Sequence, residues 1–488
     1  MTESGAAYLV KRISYFAHND RDTLDPPCAS RFTNDVRRRS PQRVGMGTYA
    51  RVMPVVLLAG VLCAGQSQAA ESSTQSPPEL PVLKLSLKDA IEAALDKNPN
   101  VRLYKERIEA ARGVSTTQLG ALLPNIASSA RYNNQTFYRG TIGGTPTRSD
   151  PFDIADARGT LSQSLFSWSL IERWRASRAA LAVAEGESET TKNDTMATVA
   201  LHYLDVLRNT ETVAARTANV ELYKELLAYI KSRQSGGMAT GLDTARLETQ
   251  LENERQRLEL AKSDVERTKL ILTNALGITF DSKLVLTDEL KAPQEPVPTQ
   301  DSAQEVAFAK RPELKAQEQR LQVSSLMLSS VKGERLPSLQ AQGDYGLIGN
   351  RVDATLSTYN VGVTLSVPIF DGGQREGRIG ESRSRLLQEE IKMDMVTRQI
   401  TMELREAIVT LTSAKEQLRI AKDGLKAALT EVQLARERVR VLSSNTLELS
   451  NSLFSLVRAR DNMIDGLFRA NASRVNLARA MGQVEELK

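Results

Sequence analysis

The chain has 488 residues, of which 41% are apolar, 25% charged and 5% aromatic, with 28 glycines and 17 prolines. This excludes a collagen-like or low-complexity chain, and the shortage of aromatics favours helix–helix packing through small residues; two histidines and two cysteines leave no material for most His/Cys metal sites or a disulfide framework. The formal charge of +5 is no sign of nucleic-acid binding, because residues 1–69 hold nine Lys/Arg against five Asp/Glu and the remaining 55 basic and 54 acidic residues nearly cancel.

Residues 1–69 read as an address. Met1–Val44 is polar and Arg-rich without apolar periodicity, so the start lies at Met1 or at Met46. After Arg51 come the apolar run Val52–Gly65 and the small-residue site Ser67-Gln68-Ala69, the layout of a secretory signal peptide. The run is short for a membrane span of ~20 residues; a single membrane anchor is the alternative. Leu62 is too large for a lipoprotein site at Cys63. Cleavage after Ala69 would remove Cys28 and Cys63, which suits an oxidising compartment.

The rest reads as one unit written twice. Ala94, Pro99, Leu123, Pro124 and Tyr132 recur 213 residues on as Ala307, Pro312, Leu336, Pro337 and Tyr345. Thr160-Leu161-Ser162 and Phe166 recur 204 residues on as Thr364-Leu365-Ser366 and Phe370, and Ala275-Leu276-Gly277 recurs 205 on as Ala480-Met481-Gly482. The first copy is therefore nine residues longer between Tyr132 and Thr160, which predicts a loop insertion. The expected organisation is 70–277 for the first repeat, 278–300 for a Pro-rich linker, 301–482 for the second repeat and 483–488 for a tail.

Each copy opens with a predicted helix of about 30 residues, Leu87–Gln118 and Gln304–Lys332; Ser86 and Asp89 resemble a capping box. Pro124 and Pro337 stop them. Two strand-like runs follow. From Tyr359 to Ile369, apolar Tyr359, Val361, Val363, Leu365, Val367 and Ile369 alternate with Asn360, Gly362, Thr364 and Ser366, and Leu339, Ala341 and Tyr345 alternate with Gln340, Gln342 and Asp344. The first copy is weaker, with Ile126, Ala130 and Tyr132, then Leu161 and Leu165. About ten residues suits a tilted membrane strand or an amphipathic hairpin on a soluble core. Long helical hairpins come last. Met196, Val199, Tyr203, Val206, Val213, Val220 and Leu227 form a heptad seam over Leu170–Gln234, continued by Leu247, Leu251, Leu258, Ala261, Val265, Thr268 and Leu272. The second hairpin runs from about Arg375 to Arg440 and from Thr446 to Ala480.

Four strands cannot close a membrane barrel, and open sheet edges are not tolerated in lipid. Three copies would supply twelve strands and let the helical seams bury one another. The expected fold is mainly α with membrane β: a trimeric twelve-strand β-barrel in the outer membrane, continued by a twelve-helix α-barrel reaching ~100 Å into the periplasm. A periplasmic coiled-coil scaffold without a pore is the different-class alternative, which the alternating strands disfavour; a membrane-fusion adaptor is disfavoured by the full duplication.

In this order and duplicated, Asn98-Pro99, Arg311-Pro312-Glu313-Leu314, both Leu-Pro strand entries, Val367-Pro368-Ile369-Phe370-Asp371-Gly372-Gly373, the hairpin breaks and the closing Ala-x-Gly triplets resemble the TolC family of outer-membrane efflux and secretion ducts over roughly residues 85–482. The resemblance implies a homotrimer in outer-membrane lipid, docked to a periplasmic adaptor and an inner-membrane RND or ABC pump. Small-molecule efflux is the first reading and type I protein secretion the second; one histidine beyond residue 69, no phosphate-cradling Gly-rich loop and no metal-ligand cluster give enzyme chemistry no support, and no cofactor, metal or nucleic acid is expected.

The family's tips contact the adaptor and resemble Val-Gly-Leu. The candidate docking residues are Gly237, Met238 and Gly241 at the first break and Leu442, Ser443 and Asn445 at the second, where Leu442-Ser443 lacks the glycine; simple turns are the alternative. Asp243 and Glu448 each stand 34 residues before Gly277 and Gly482. The resemblance implies a gate there, with threefold symmetry making acidic rings that favour cations; acids favoured by the helix dipole are the alternative. Where some relatives add a Tyr, an Arg and a second Asp, this chain has Val439, Ser444 and Asn451, implying fewer ionic links. Gln340, Gln342, Asp344, Thr364 and Ser366 are expected to face the lumen. Phe166, Trp168 and Phe370 suit an interfacial aromatic belt or packing at the strand–helix junction. His202 reads as a packed or groove histidine.

Overall fold

The computed structural model describes residues 82–441 and 446–487. The expected extension and signal peptide, and Leu442, Ser443 and Asn445 of the second break, lie outside the described residues. In chain order the elements are β1 (Val82–Leu85), α1 (Leu87–Lys97), α2 (Pro99–Gly120), β2 (Asn125–Gln135), β3 (Tyr138–Ile142), β4 (Thr145–Arg148), β5 (Phe152–Phe166), α3 (Trp168–Ser235) and α4 (Gly241–Leu276). Then come β6 (Lys283–Leu286), α5 (Gln300–Lys310), α6 (Pro312–Gly333), β7 (Ser338–Gly349), β8 (Thr355–Ser366), α7 (Gln374–Arg440) and α8 (Thr446–Met481), with a short 3-10 turn at Val484–Leu487.

The single helices expected over Leu87–Gln118 and Gln304–Lys332 are each two helices. A residue before proline is pushed out of the α region, and Asn98 and Arg311 take ψ 127° and 121° before Pro99 and Pro312. Asn98 serves both sides of its break: its Oδ1 accepts from the Asn100 amide at 2.8 Å and its Nδ2 donates to the Ala275 carbonyl at 2.7 Å. Opposite it, Gly277 ends α4 at φ +70°, and a Cβ there would meet the Lys97 carbonyl oxygen at 2.5 Å. Gly482 sits the same way against Lys310 and Arg311. The closing triplets are therefore the seats on which the two helix breaks rest.

Four strands pair antiparallel in the order β2-β5-β7-β8. The expected strand Tyr359–Ile369 begins earlier, at Thr355, and ends at Ser366, because its ladder partner starts at Ser338, opposite Ser366 and just after Pro337. The extra residues of the first copy lie in the connection between β2 and β5, where they form the β3–β4 ribbon. The segment read as a linker holds β6, which pairs in parallel with β1. It is anchored to the helices: Leu284 and Leu290 share a core with Ile91, Met196, Tyr203 and Leu272. The buried Tyr203 hydroxyl donates to Asp288 at 2.9 Å, and burial together with the Asp288 carboxylate pushes this phenol well above its ordinary pKa.

α3 and α7 have 68 and 67 residues, about 100 Å each. Along the seam Met196, Val199, Tyr203, Val206 and Val220 are buried, but Val213 and Leu227 only partly. Beyond Val220 the buried positions are Tyr223, Leu226 and Ile230, one residue earlier than the heptad places them. α3 packs on α2 and α4 and also on α6 and α8, whereas α7 packs on α6 and α8. Leu387, Ile391, Met395, Met402 and Val409 leave an apolar stripe exposed along α7.

Candidate functional site: the sheet faces and the hairpin tip

Strand register sorts side chains onto two faces, since successive residues alternate. Leu339 lies opposite Leu365, Ala341 opposite Val363 and Tyr345 opposite Tyr359. Leu161 lies opposite Ile126, Ala157 opposite Ala130 and Leu347. This face is apolar yet exposed, reaching 80% at both Ile126 and Val361. Gln340 lies opposite Thr364 and Ser164, Asp344 opposite Asn360 and Thr160, and Ser338 opposite Ser366. Gln340, Gln342, Asp344, Thr364 and Ser366 thus share the polar face. Arg158 joins them, held between Asp156 at 2.9 Å and Asp344 at 3.1 Å. Sequence reasoning missed this triad, although Asp156-Ala157-Arg158 shows the alternating spacing. β2 and β8 are the sheet's edges.

At the first tip, Gly236 caps α3 and Gly237 turns the chain at φ +72°. The Gly237 and Met238 amides donate to the Gln234 and Arg233 carbonyls, both at 2.9 Å. Met238 is left 59% exposed at the apex, and Gly241, also exposed, opens α4. Asp243 belongs to a capping box: it accepts from the Thr240 amide at 3.1 Å and the Thr240 hydroxyl at 2.6 Å, while its own amide donates back to Thr240 Oγ1. These bonds hold its carboxyl below the ordinary range. The signal, Thr240-x-x-Asp243, was visible in the sequence. Glu448 forms an ion pair with Arg438 across the second break.

One further contact joins the hairpins. Arg233 Nη1, at the end of α3, donates to the Val439 carbonyl of α7 at 2.8 Å. Beside it lies a cavity of about 280 Å³ between α3, α7 and α8, lined by Leu226, Tyr229, Val439 and Leu453. Trp168 packs at the strand–helix junction, its Nε1 donating to Ser329 at 3.4 Å and its ring resting where a Cβ on Gly333 would be. Trp168 still keeps 37% of its surface exposed, as do larger shares of Phe166, two residues before it, and Phe370, four residues after the end of β8. His202 lines a polar cleft of about 710 Å³ with Asn98, Tyr104, Asp194 and Asn274. Among the described residues no group of three His, Cys, Asp or Glu could hold a metal ion. No described helix is long and apolar enough to cross a membrane.

An amphipathic sheet carried on ~100 Å helical hairpins is the fold of outer-membrane channels. The crystal structure of the CmeC outer membrane channel of Campylobacter jejuni matches it with a TM-score of 0.72 at 17% identity, over 81% of this chain and 85% of that one. The sequence matches the outer membrane efflux protein family over residues 90–278 and 304–483, and the chain belongs to that family. It is similar to the outer membrane efflux protein BepC of Brucella suis, 22% identical over 61% of this chain and 66% of BepC. It is likewise similar to the alkaline protease secretion protein AprF of Pseudomonas aeruginosa, 23% identical over 78% of this chain and 80% of AprF. The protein is thus an export duct of the Gram-negative outer membrane, extending into the periplasm.

Proposed function

We propose that the chain is the passive, gated exit duct of a tripartite export system, working as a homotrimer of two-repeat protomers. Residues 70–277 and 301–482 are the repeats, joined by 278–300. The observation that carries this reading is the sheet: one face is apolar and exposed, the other polar, and both edges are open. Lipid tolerates such a sheet only when it is closed, and three copies of four strands make a barrel whose polar face lines a lumen. The exposed apolar stripe on α7 fits the same ring, since α3 at the matching level packs on α6, with Gly186, 205 residues before Ile391, against Ala316.

Substrates enter at the periplasmic end from an inner-membrane pump and its adaptor, which docks on the tips around Gly237, Met238 and Gly241, and around Leu442, Ser443 and Asn445. Asp243 and Glu448 ring the constricted end. Phe166 and Phe370 mark the membrane interface. Small-molecule efflux is the first reading. The likeness to a protease secretion protein supports protein secretion as the second.

The test is a Met238→Cys variant carrying a photo-crosslinker in living cells, with captured partners identified by mass spectrometry. A periplasmic adaptor is expected, and its cognate pump distinguishes the two readings. A thiol reactive only from outside the cell would overturn the topology.

A further inference from the structure

Midway along the hairpins lies a polar cluster that packing does not require. Arg216 of α3 stands between two acids. Its Nη2 donates to Asp461 of α8 at 2.9 Å, across the junction between hairpins. Its Nη1 lies 3.7 Å from Glu254 Oε2 of α4, within its own hairpin. Neither that nitrogen nor that oxygen has a hydrogen-bond partner, although Glu254 is only 2% exposed. The other Glu254 oxygen accepts from Arg257 at 2.6 Å. One turn along α3, buried Asn219 accepts from Arg460, the neighbour of Asp461. The positions 205 residues on from Arg216, Asn219 and Glu254 are Ala421, Gly424 and Ala459, so helices of this kind pack at this level without charge. A buried carboxylate left half-paired is costly. It needs a reason other than packing.

We propose that Arg216 is a two-position latch between the hairpins. With the hairpins together it is hydrogen-bonded to Asp461 and holds Glu254 only by the longer 3.7 Å ion pair. When α8 moves off α3, Arg216 closes the short gap to Glu254 and Asp461 returns to water. One ion pair replaces another, so separation leaves no buried acid stranded. The latch rests on the gated-duct reading only for its consequence, the opening of the periplasmic end; the exchange itself concerns the two hairpins.

The sign of two substitutions tests it. Leu226 is buried and lines the cavity between α3, α7 and α8. A Leu226→Cys thiol in the otherwise native, purified protein therefore reacts with a maleimide only as the hairpins part. Asp461→Asn removes the joined-state charge, leaving Arg216 only a weaker amide acceptor, and is expected to speed labelling at least about threefold. Glu254→Gln keeps the side-chain shape and its bond from Arg257, but removes the alternative acceptor; it is expected to slow labelling by a similar factor. Arg216→Met should abolish the difference between the two. Faster labelling in both acid variants would make the cluster a simple brace and overturn the latch, as would no change in either. Single-channel conductance of the same variants separates the two readings. Opposite labelling shifts with unchanged conductance keep the latch and remove it from gating.

Discussion

Replacing Gly277 with alanine asks whether the helix break really rests on it. At φ +70° an L side chain costs about 1–2 kcal/mol. The new Cβ would also lie 2.5 Å from the Lys97 carbonyl oxygen and 2.9 Å from Asn98 Cα. Both are backbone atoms, so the α1–α2 break must move, and overpacking of this kind adds about 1–3 kcal/mol. Gly237 at the tip has nearly the same φ, +72°, with nothing within 4 Å of its Cβ, so Gly237→Ala carries the conformational cost alone. Gly482→Ala, whose Cβ would meet Lys310 C at 3.1 Å, falls between them. Denaturant unfolding in detergent, followed by far-ultraviolet circular dichroism, should rank stability in the order G237A, G482A, G277A. The outer two should be separated by about 1–3 kcal/mol. Equal losses at all three positions would mean that the breaks are soft, and that the Ala-x-Gly triplets do not seat them.

Three further outcomes follow from the same geometry. Asp243→Ala combined with Glu448→Ala should raise single-channel conductance or lower cation selectivity, while Asp243→Ala alone costs about 1 kcal/mol of helix stability through the lost capping box; unchanged recordings would remove both acids from the gate. Ala316 approaches Gly186 closely enough that a Cβ on the glycine would lie 3.0 Å from the alanine's. The repeat offsets carry this pair to Leu103 and Ile391, which are 51% and 53% exposed; cysteines at both should therefore cross-link one copy to the next in outer-membrane fractions, and monomers with two reactive thiols would contradict the ring. The third concerns pH. Burial raises the Glu403 pKa, but hydrogen bonds from Gln399 and from Arg311, at 2.8 and 2.6 Å, outweigh it and hold the group below its ordinary value. A depressed folded-state pKa stabilises above the unfolded value and is lost as pH falls through the folded one. Stability should accordingly drop on acidification below about pH 4, and Glu403→Gln should flatten that drop when unfolding midpoints are compared across pH.

What the sequence made legible is local, and what it hid is long-range. The seams on α3 and α4 were readable because burial repeats every turn, and the strand faces because it alternates. The capping box at Thr240 had the same pattern as the one read at Ser86. The breaks at Asn98 and Arg311 were masked by apolar spacing that runs through them, although Pro99 and Pro312 dictate them. The β1–β6 pairing joins segments some 200 residues apart through Val82–Leu85 and Lys283–Leu286, runs too short to signal a partner. Arg233 on the Val439 carbonyl and Arg216 on Asp461 carry no signature at all, because an arginine on a helix face looks the same whether it meets water or another hairpin.

The two halves repeat their helix lengths nearly residue for residue, at 11 and 11, 22 and 22, 68 and 67, 36 and 36, yet they diverge sharply in what lies between hairpins. The junction of α3 with α8, made within one chain, carries Arg216, Asn219, Arg460 and Asp461. At the matching level α7 presents Ala421 and Gly424. In the proposed ring, that second junction forms only between copies. A covalent neighbour is always present, so buried charges inside one chain are paired as soon as the hairpins meet. The same charges at a junction between copies would stand unpaired in every protomer awaiting assembly, and a buried charge without its partner is strongly destabilising. Small and apolar residues carry no such cost before assembly. The uncharged α7 side of the second junction, which would face Arg255 and Gln256 of α4 there, therefore follows from the order in which the two junctions form.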